Sequence, residues 1–295
     1  MQGMTGILFC FGLGYSAQAL ARRLAHDGWT IAGTAQSGEH AAALKREGWN
    51  VHVFHDGEFS PAAKAALAQA DTILISIPPG EMGDPVLATE ADALRALAPR
   101  WRWLGYLSTT GVYGDRQGGW VDETTSLAPT SPRAAARVAA ENAWKDFAAA
   151  TLAPLTIFRL AGIYGPGRNP LQALRAGTAR RYDKAGQVFS RIHVEDLARV
   201  LAASIARPNA GGIYNVCDDE PAAQADVIAY GAELLGIAPP MLESYAAAEP
   251  TLSEMAKSFY RDSKRVRNDR MKRELGVALS YPSYREGLAS LIDAK

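Results

Sequence analysis

The chain has 295 residues and equal numbers of basic and acidic side chains, 31 of each, so its formal net charge is zero. Without a long run of Lys and Arg, this balance argues against nucleic-acid binding. No stretch approaches the roughly 18 consecutive apolar residues of a membrane span, and the N-terminus lacks a basic start followed by a long apolar run. We therefore expect a cytoplasmic protein that does not bind membranes, built as one large or two small domains.

Cysteines and histidines give no sign of a metal site. Cys10 and Cys217, the two cysteines, lie in apolar strand-like segments. Such positions are typical of small core residues and favour a reducing compartment. His52 and His55 are close in sequence, but in a strand their side chains would point to opposite faces. We expect no bound metal.

Strands and helices alternate along most of the chain. Apolar runs predict strands at 7–11, 29–33, 50–54, 72–77, 103–107, 155–160 and 213–216. Helical spacing of apolar residues predicts helices at 17–27, 38–48, 61–69, 88–98 and 133–151. Repeated strand–helix units with unbroken apolar strands predict an α/β fold, in which a doubly wound parallel sheet is covered on both faces.

The first strand ends in the turn Gly12–Ala17, a G-x-G-x-x-A pattern between a strand and a helix. This is the context of a dinucleotide-binding fingerprint. Gly12 allows the tight turn, Gly14 lets the backbone approach a pyrophosphate, and Ala17 lets the helix pack close to the strand. The helix N-terminus then offers N–H groups to the phosphates. Ligands of parallel sheets bind outside the C-terminal strand ends, so we expect the turn, residues 76–80 and residues 108–114 to border one crevice.

Five later segments resemble, in order and spacing, the extended short-chain dehydrogenase/reductases, the NAD(P)-dependent sugar epimerase/dehydratase group. They are LSTTGVYGD (107–115), VDETTSLAPTSP (121–132), FRLAGIYGPGRNPL (158–171), RIHVEDLARVL (191–201) and YNVCDDEP (214–221). The resemblance implies a Rossmann-type sheet with a smaller C-terminal substrate lobe. We expect the dinucleotide-binding domain at 1–169, with a strand at about 192–218 returning to it, and the lobe at 170–191 and 219–295.

Two departures from that family suggest an atypical active site. The family uses a Ser/Thr, a Tyr and a Lys, and Thr109 matches the first. Arg133 and Arg137 occupy the Tyr and Lys positions, and a guanidinium does not act as a base. Arg137 can still donate to ribose hydroxyls, although both arginines also suit surface positions of a lapsed site. The glycine turn is also shorter than the usual T-G-x-x-G-x-x-G.

Other residues are candidates for proton transfer. Tyr113 lies just beyond the 103–107 strand, and Tyr164 and His193 lie in segments that border the family's substrate side. The alternative is structural: the tyrosines line the wall, and His193 is a satisfied buried histidine. We take Thr109, Tyr113 and Arg137 as the candidate catalytic set.

The second strand ends without the acid that selects NAD. Gln36 stands where an arginine for NADP is usual, and Glu39 is the nearest acid. Because an acid would repel a 2′-phosphate, its absence favours NADP, with NAD still possible. Asp56 is either an adenine contact or a turn residue. The expected cofactor contacts are Gly12, Leu13, Gly14, Tyr15, Ser16, Thr34, Gln36, Ser37, Asp56, Ile77, Pro78 and Arg137.

Three functional hypotheses remain open at this point. The first is an NAD(P)-dependent oxidoreductase, epimerase or dehydratase acting on a small, sugar-like or nucleotide-linked molecule. The second is a catalytically inactive NADP(H) sensor, and the third is a structural scaffold with an empty cleft. The Ala-rich helix at 133–151 and the helix at 88–98 also resemble the pair that forms a four-helix interface in family dimers, so we expect a homodimer.

Overall fold

The computed structural model describes residues 5–55 and 57–292. Its strands are β1 (Ile7–Phe11), β2 (Thr30–Ala35), β3 (Asn50–His55), β4 (Glu58–Phe59), β5 (Thr72–Ile75), β6 (Trp103–Thr109), β7 (Trp120–Val121), β8 (Leu155–Leu160), β9 (Gly162–Tyr164), β10 (Arg181–Asp183), β11 (Arg191–His193), β12 (Gly212–Val216), β13 (Leu242–Ser244) and β14 (Arg265–Val266). Its helices are α1 (Tyr15–His26), α2 (Gly38–Lys45), α3 (Pro61–Gln69), α4 (Pro85–Leu97), α5 (Pro132–Thr151), α6 (Pro170–Arg175), α7 (Val194–Ala206), α8 (Gln224–Leu234), α9 (Tyr245–Ala248), α10 (Glu254–Arg261), α11 (Asp269–Leu275) and α12 (Tyr284–Ala289).

The central sheet has the strand order β12-β8-β6-β5-β1-β2-β3-β4. Pairs β1–β2, β1–β5, β2–β3 and β5–β6 are parallel, and the short β4 is antiparallel to β3. The chain builds one half outward from β1 and the other outward from β5, so the order reverses between these two strands. Ligands of open α/β sheets bind at such a switch point. The predicted doubly wound parallel sheet is confirmed.

Unbroken apolar strands explain why this sheet is buried on both faces. All four residues of β5 are buried, as are the last four residues of β1. One side of the sheet carries an aromatic cluster in which Phe9, Phe11, Phe54 and Phe59 pack at centroid distances of 5.0–6.2 Å. Such edge-to-face contacts add to the energy of apolar burial.

Helix α5 buries one stripe and exposes the other. Ala140, Glu141, Trp144 and Phe147 are buried, whereas the opposite side carries exposed alanines and short polar residues. The helix is therefore covered by its own unit on one face only. None of the described helices has the length and apolar character required to cross a bilayer.

The described residues divide into two compact units. The first holds those up to Ser108 with Ala135–Arg159 and Leu197–Tyr214, and the second holds Thr109–Ala134, Leu160–Asp196 and those from Asn215 onward. Three of the five boundaries fall at or near the C-terminal ends of β6, β8 and β12, and the other two lie in the first turns of α5 and α7. The second unit therefore includes more residues than the lobe expected from the sequence, and its role in substrate binding stays a prediction.

The second unit has its own apolar core around α6, α8 and α12, with Leu171, Val227, Tyr284 and Leu288 among its buried members. Strands β9 and β11 pair in parallel beside it, with His193 opposite Tyr164.

Two buried charged side chains lie side by side in this unit. Asp218 is 1% exposed and Arg191 is 8% exposed, and the Asp218 N–H donates to the Arg191 carbonyl (2.6 Å). The Arg191 guanidinium donates to the carbonyls of Phe189 and Ala222 and to Gln224 Oε1. Neither carboxylate oxygen of Asp218 has a hydrogen-bond partner of standard geometry among the described residues. Burial therefore raises the pKa of the Asp218 carboxyl well above its ordinary value, against the smaller opposing effect of Arg191.

The substitution Asp218→Asn should make the protein more stable relative to the unchanged protein as the pH rises. A carboxyl with a raised pKa in the folded state favours folding while protonated, and this contribution is lost as pH rises from its unfolded pKa through its folded pKa. Asparagine does not titrate. Between pH 4 and pH 8, the free energy of unfolding should therefore shift progressively in favour of the variant. Urea unfolding at several pH values measures this difference, and a difference that is flat with pH would contradict it.

Candidate functional site

The glycine turn after β1 is held by the end of β2. The Gly12 N–H donates to Thr34 Oγ1 (2.9 Å) and the Leu13 N–H donates to the Thr34 carbonyl (2.7 Å). Gly12 has a φ of +88°, and a Cβ there would lie 2.8 Å from Ile77 Cγ1. A glycine is therefore required at this position by the fold itself, because both the backbone angle and the space exclude a side chain.

Gly14 is different, because the fold places no such demand on it. Its φ is −81°, which any residue adopts, and an added Cβ would meet nothing within 4 Å. It is the N-cap of α1, where no side chain caps the helix. The first helical bond runs from the Gln18 N–H to the Gly14 carbonyl, so the N–H groups before Gln18 precede the helical ladder. This open helix start fits a negatively charged group.

The neighbouring predicted contacts lie around this turn. Leu13 and Ser16 are buried, and Tyr15 is half-buried. The Ser76 N–H donates to the Phe11 carbonyl (2.9 Å), which extends the β1–β5 pairing as far as the turn. Beyond Ser76, Ile77 is half-buried against Gly12 and Pro78 is exposed.

At the end of β2, the three predicted nucleotide contacts have different environments. Thr34 is 1% exposed and its hydroxyl already accepts from the turn. Gln36 and Ser37 are exposed, and Ser37 Oγ accepts from the His40 N–H (3.2 Å) as the N-cap of α2. Asp56 lies outside the described residues. This strand end presents amide and hydroxyl groups, with Glu39 exposed in the first turn of α2.

Two of the candidate catalytic residues, Thr109 at the end of β6 and Tyr113 beyond it, belong to the second unit. Thr109 is half-buried, and its Oγ1 accepts from the Gly111 N–H (3.1 Å). Tyr113 is fully buried and donates its hydroxyl hydrogen to Asn215 Oδ1 (2.7 Å). The Asn215 N–H in turn donates to Glu123 Oε1 (2.8 Å). Proton transfer from Tyr113 would therefore require this hydroxyl to leave a buried hydrogen bond.

Arg137 holds the backbone at the end of β6. Its Nη1 donates to the Leu107 carbonyl at 2.5 Å and lies 3.4 Å from the Tyr106 hydroxyl, and its guanidinium packs 5.7 Å from the Tyr106 ring centre. Burial raises the pKa of Tyr106, with Arg137 acting in the opposite direction. Arg133, which the sequence predicts at the position of the family tyrosine, is exposed.

A buried polar group beside Arg137 was not predicted from the sequence. Ser108 Oγ donates to Glu141 Oε1 (2.5 Å), and Arg159 donates from Nε to Oε1 (3.1 Å) and from Nη2 to Oε2 (2.8 Å) of the same carboxylate. Glu141 is fully buried, and Arg159 is 3% exposed. Two signals were available: Arg159 interrupts an apolar strand, and Glu141 follows Arg137 by one helical turn.

Tyr164 and His193 pack together in the second unit. The Tyr164 hydroxyl donates to the Ser283 carbonyl (3.3 Å), and the two rings meet edge to face at 5.2 Å. The Glu195 N–H donates to His193 Nδ1 (3.3 Å). Burial lowers the pKa of His193 to about 4, with Asp196 opposing the change. His193 is therefore neutral at pH 7, and its buried Nε2 has no hydrogen-bond partner among the described residues, so the alternative of a fully satisfied histidine is not met.

The cysteines are buried thiols, as predicted. Cys10 and Cys217 are free and fully buried, and the Cys217 Sγ donates to the Val266 carbonyl (3.2 Å). Burial raises the pKa of both thiols. Across residues 5–55 and 57–292, the structure contains no group of three or more His, Cys, Asp or Glu side chains placed to hold a metal ion.

Comparison with known proteins gives two relatives that match over more than nine-tenths of both chains and one that matches over less than half. A functionally unknown conserved protein from Silicibacter pomeroyi is 51% identical, with a TM-score of 0.88 over 97% of this chain and 98% of its own. Protein YeeZ of Escherichia coli is 29% identical over 92% of this chain and 94% of its length. A 3-diazoavenalumate denitrifying reductase from Streptomyces is 32% identical over 45% of each chain.

More distant solved structures share the fold. A UDP-glucuronic acid 4-epimerase from Bacillus cereus, in complex with NAD, is 16% identical with a TM-score of 0.71, covering 97% of this chain and 96% of its own. The family model described as the NAD dependent epimerase/dehydratase family matches residues 88–217. With its switch-point sheet and glycine turn, the chain belongs to the NAD-dependent epimerase/dehydratase family of extended short-chain dehydrogenase/reductases.

Proposed function

We propose that this protein is an NAD(P)-dependent oxidoreductase of the epimerase/dehydratase type that acts on a small, sugar-like or nucleotide-linked molecule. The observation that carries the proposal is that the fold itself does not require a glycine at position 14. The fold leaves room for a side chain there and allows any residue by backbone angle, so the missing side chain is explained by a ligand that approaches the backbone. A dinucleotide diphosphate on the helix N-terminus is such a ligand.

The residues at this end of the sheet fit a nicotinamide nucleotide. The turn Gly12–Ser16 and the start of α1 would hold the diphosphate, and Ile77 and Pro78 would line the same end of the sheet beside β1. When bound, a nicotinamide supplies or accepts a hydride. Thr109 would orient the substrate through its hydroxyl, and Arg137 would donate to ribose hydroxyls.

Proton transfer is the unusual part of this proposal. A guanidinium does not act as a base, so neither Arg133 nor Arg137 replaces the tyrosine of the family in proton transfer. Tyr113 is the proposed alternative, and it would have to exchange its bond to Asn215 for one to the substrate.

The names of relatives support an enzyme: one is a reductase and one is an epimerase with bound NAD.

NADP is the proposed cofactor. At the end of β2, Gln36 and Ser37 are exposed and uncharged, so a 2′-phosphate meets hydrogen-bond donors without a carboxylate at the strand end itself. Thr34 contributes indirectly, because its hydroxyl holds the glycine turn.

A second candidate function is an NADP(H) sensor without turnover. It is favoured by Arg137, whose Nη1 is engaged with a backbone carbonyl at the position where the family has a catalytic lysine. Selective, tight binding of one redox form without turnover of any substrate would favour this function, whereas equal affinity for both forms would not shift any equilibrium.

The substitution Gly14→Val separates folding from ligand binding. A Cβ at position 14 meets nothing within 4 Å, so the melting temperature should change little, but the valine side chain would block a diphosphate at the helix start. We expect NADP affinity, measured by calorimetric titration, to fall at least about tenfold, which corresponds to roughly 1.4 kcal/mol. The unchanged protein should bind NADP more tightly than NAD.

As a comparison, Gly12→Ala should lower the melting temperature, because Gly12 has positive φ and faces Ile77. Retained NADP binding by a folded Gly14→Val protein would contradict the proposed diphosphate site.

The catalytic proposal is tested by turnover. Purified protein is assayed with NADPH against a panel of carbonyl compounds and nucleotide sugars, and Thr109→Ala should lower kcat by about 10²-fold if its hydroxyl orients the reacting group. Activity unchanged by this substitution would remove Thr109 from the site.

We also propose a homodimer through α4 and α5. The exposed side of α5 carries Ala135, Ala139, Ala143 and Ala149, and such small side chains allow two helices to approach closely. Sedimentation velocity at micromolar concentration should show a dimer, and Ala139→Arg should shift it to monomer. The control Ala65→Arg, on the exposed side of α3, should stay dimeric. A monomer in the unchanged protein would refute this proposal.

A further inference from the structure

The C-terminal end of β6 extends beyond its neighbour β5. The two strands pair as far as Ile75 opposite Tyr106, so Leu107 and Ser108 lack β5 ladder partners. These two residues directly precede Thr109 in the chain. Something other than the ladder with β5 must fix their position on that side.

Helix α5 supplies two hydrogen bonds to these residues. Arg137 Nη1 donates to the Leu107 carbonyl (2.5 Å), and Ser108 Oγ donates to Glu141 Oε1 (2.5 Å). Arg137 and Glu141 are four residues apart and so lie on the same face of the helix. One helix turn therefore binds two consecutive residues of the strand end.

The negative charge of the Glu141 carboxylate is paired with Arg159 of β8. Glu141 has no exposed surface, and an unpaired charge there would be very costly. Arg159 binds it through two nitrogens, at 3.1 and 2.8 Å. Lys145, which is 40% exposed, lies farther away at 3.9 Å. The carboxylate thus accepts from β6 and β8 at the same time.

We infer that Arg137, Glu141 and Arg159 form a strand-end clamp whose function is to position Ser108 and, through it, Thr109. Glu141 and Arg159 are positioning residues rather than catalytic ones. Buried ion pairs add little net stability compared with apolar side chains of the same volume, so the main effect of the clamp is geometric. Its catalytic consequence rests on the proposed role of Thr109.

The clamp also accounts for an arginine at position 137. A guanidinium is a planar fork with five donors, whereas an ammonium is a compact point charge. Nη1 of Arg137 holds the strand end, while its Nε and Nη2 make no hydrogen bond among the described residues. One side chain can therefore hold the strand and still donate to a ribose.

Ser108→Ala tests the clamp with little risk to folding, because it leaves the Glu141–Arg159 pair whole. Hydrogen exchange measured by mass spectrometry without nucleotide should be about threefold to tenfold faster at residues 107–111, the range expected from one lost hydrogen bond. Exchange in β1 and β2 should not change. The matched control is Ser204→Ala, which removes another buried hydroxyl that accepts from Trp103 Nε1 (2.9 Å) at the start of β6. Unchanged exchange at 107–111 in Ser108→Ala, or equal acceleration in the control, would overturn the clamp.

Rescue by a conservative variant provides a second readout. Arg137→Met should accelerate exchange in the same segment, and Arg137→Lys should restore part of the protection, since an ammonium can still donate to the Leu107 carbonyl. If methionine and lysine have the same effect, the hydrogen bond of Arg137 does not hold the strand end.

Kinetics then connect the clamp to the proposed function. With a substrate found in the turnover panel, Ser108→Ala should lower kcat by about threefold to tenfold, with KM and NADP affinity unchanged. A change in KM alone would overturn the positioning role. Faster exchange in a protein that binds no nucleotide would refute the proposed function and leave the clamp standing. NADP binding with unchanged exchange would refute the clamp alone.

Discussion

The hydrogen bond from the Gly12 N–H to the Thr34 hydroxyl is the contact on which the rest of the proposed nucleotide site depends. It joins the end of β1 to the end of β2, and the positive φ of Gly12 lets the chain turn immediately afterwards into α1. On its other side, the turn contacts Ile77, which follows β5, the strand across the switch point from β1. Because three strand ends fix this turn, the N-terminus of α1 has a defined position at the edge of the sheet.

Buried charged side chains have different hydrogen-bond partners in the two units. In the first, Glu141 and Arg159 bind each other through two hydrogen bonds, and the carboxylate has a further donor in Ser108. In the second, Asp218 and Arg191 are also buried, but the guanidinium donates to two carbonyls and an amide oxygen instead. The first arrangement fixes geometry, whereas the second leaves a carboxyl whose pKa is raised by burial.

The reactive side chains of the second unit are largely engaged in structure. Tyr113 donates to Asn215, Tyr164 donates to the Ser283 carbonyl, and His193 is neutral within an aromatic contact. Thr109 is the half-buried exception, with a hydroxyl whose oxygen accepts from a backbone N–H. The proposed site would therefore depend more on binding and orientation than on an available acid or base, which agrees with the prediction that Arg133 and Arg137 occupy the family's tyrosine and lysine positions.

The sequence by itself determined the parallel sheet, its main strands and the glycine turn, because unbroken apolar runs and the G-x-G-x-x-A spacing are local patterns. Helix α5 and strand β8 were placed within a residue of their observed bounds for the same reason. Only the tertiary structure showed that Gly12 is required by the fold while Gly14 is not, and that Ser108, Glu141 and Arg159 meet. Those contacts join residues 18 to 65 positions apart in the chain, through neighbouring strand ends at the glycine turn and through the packing of α5 on the sheet. No periodicity or spacing in the sequence encodes such distances directly.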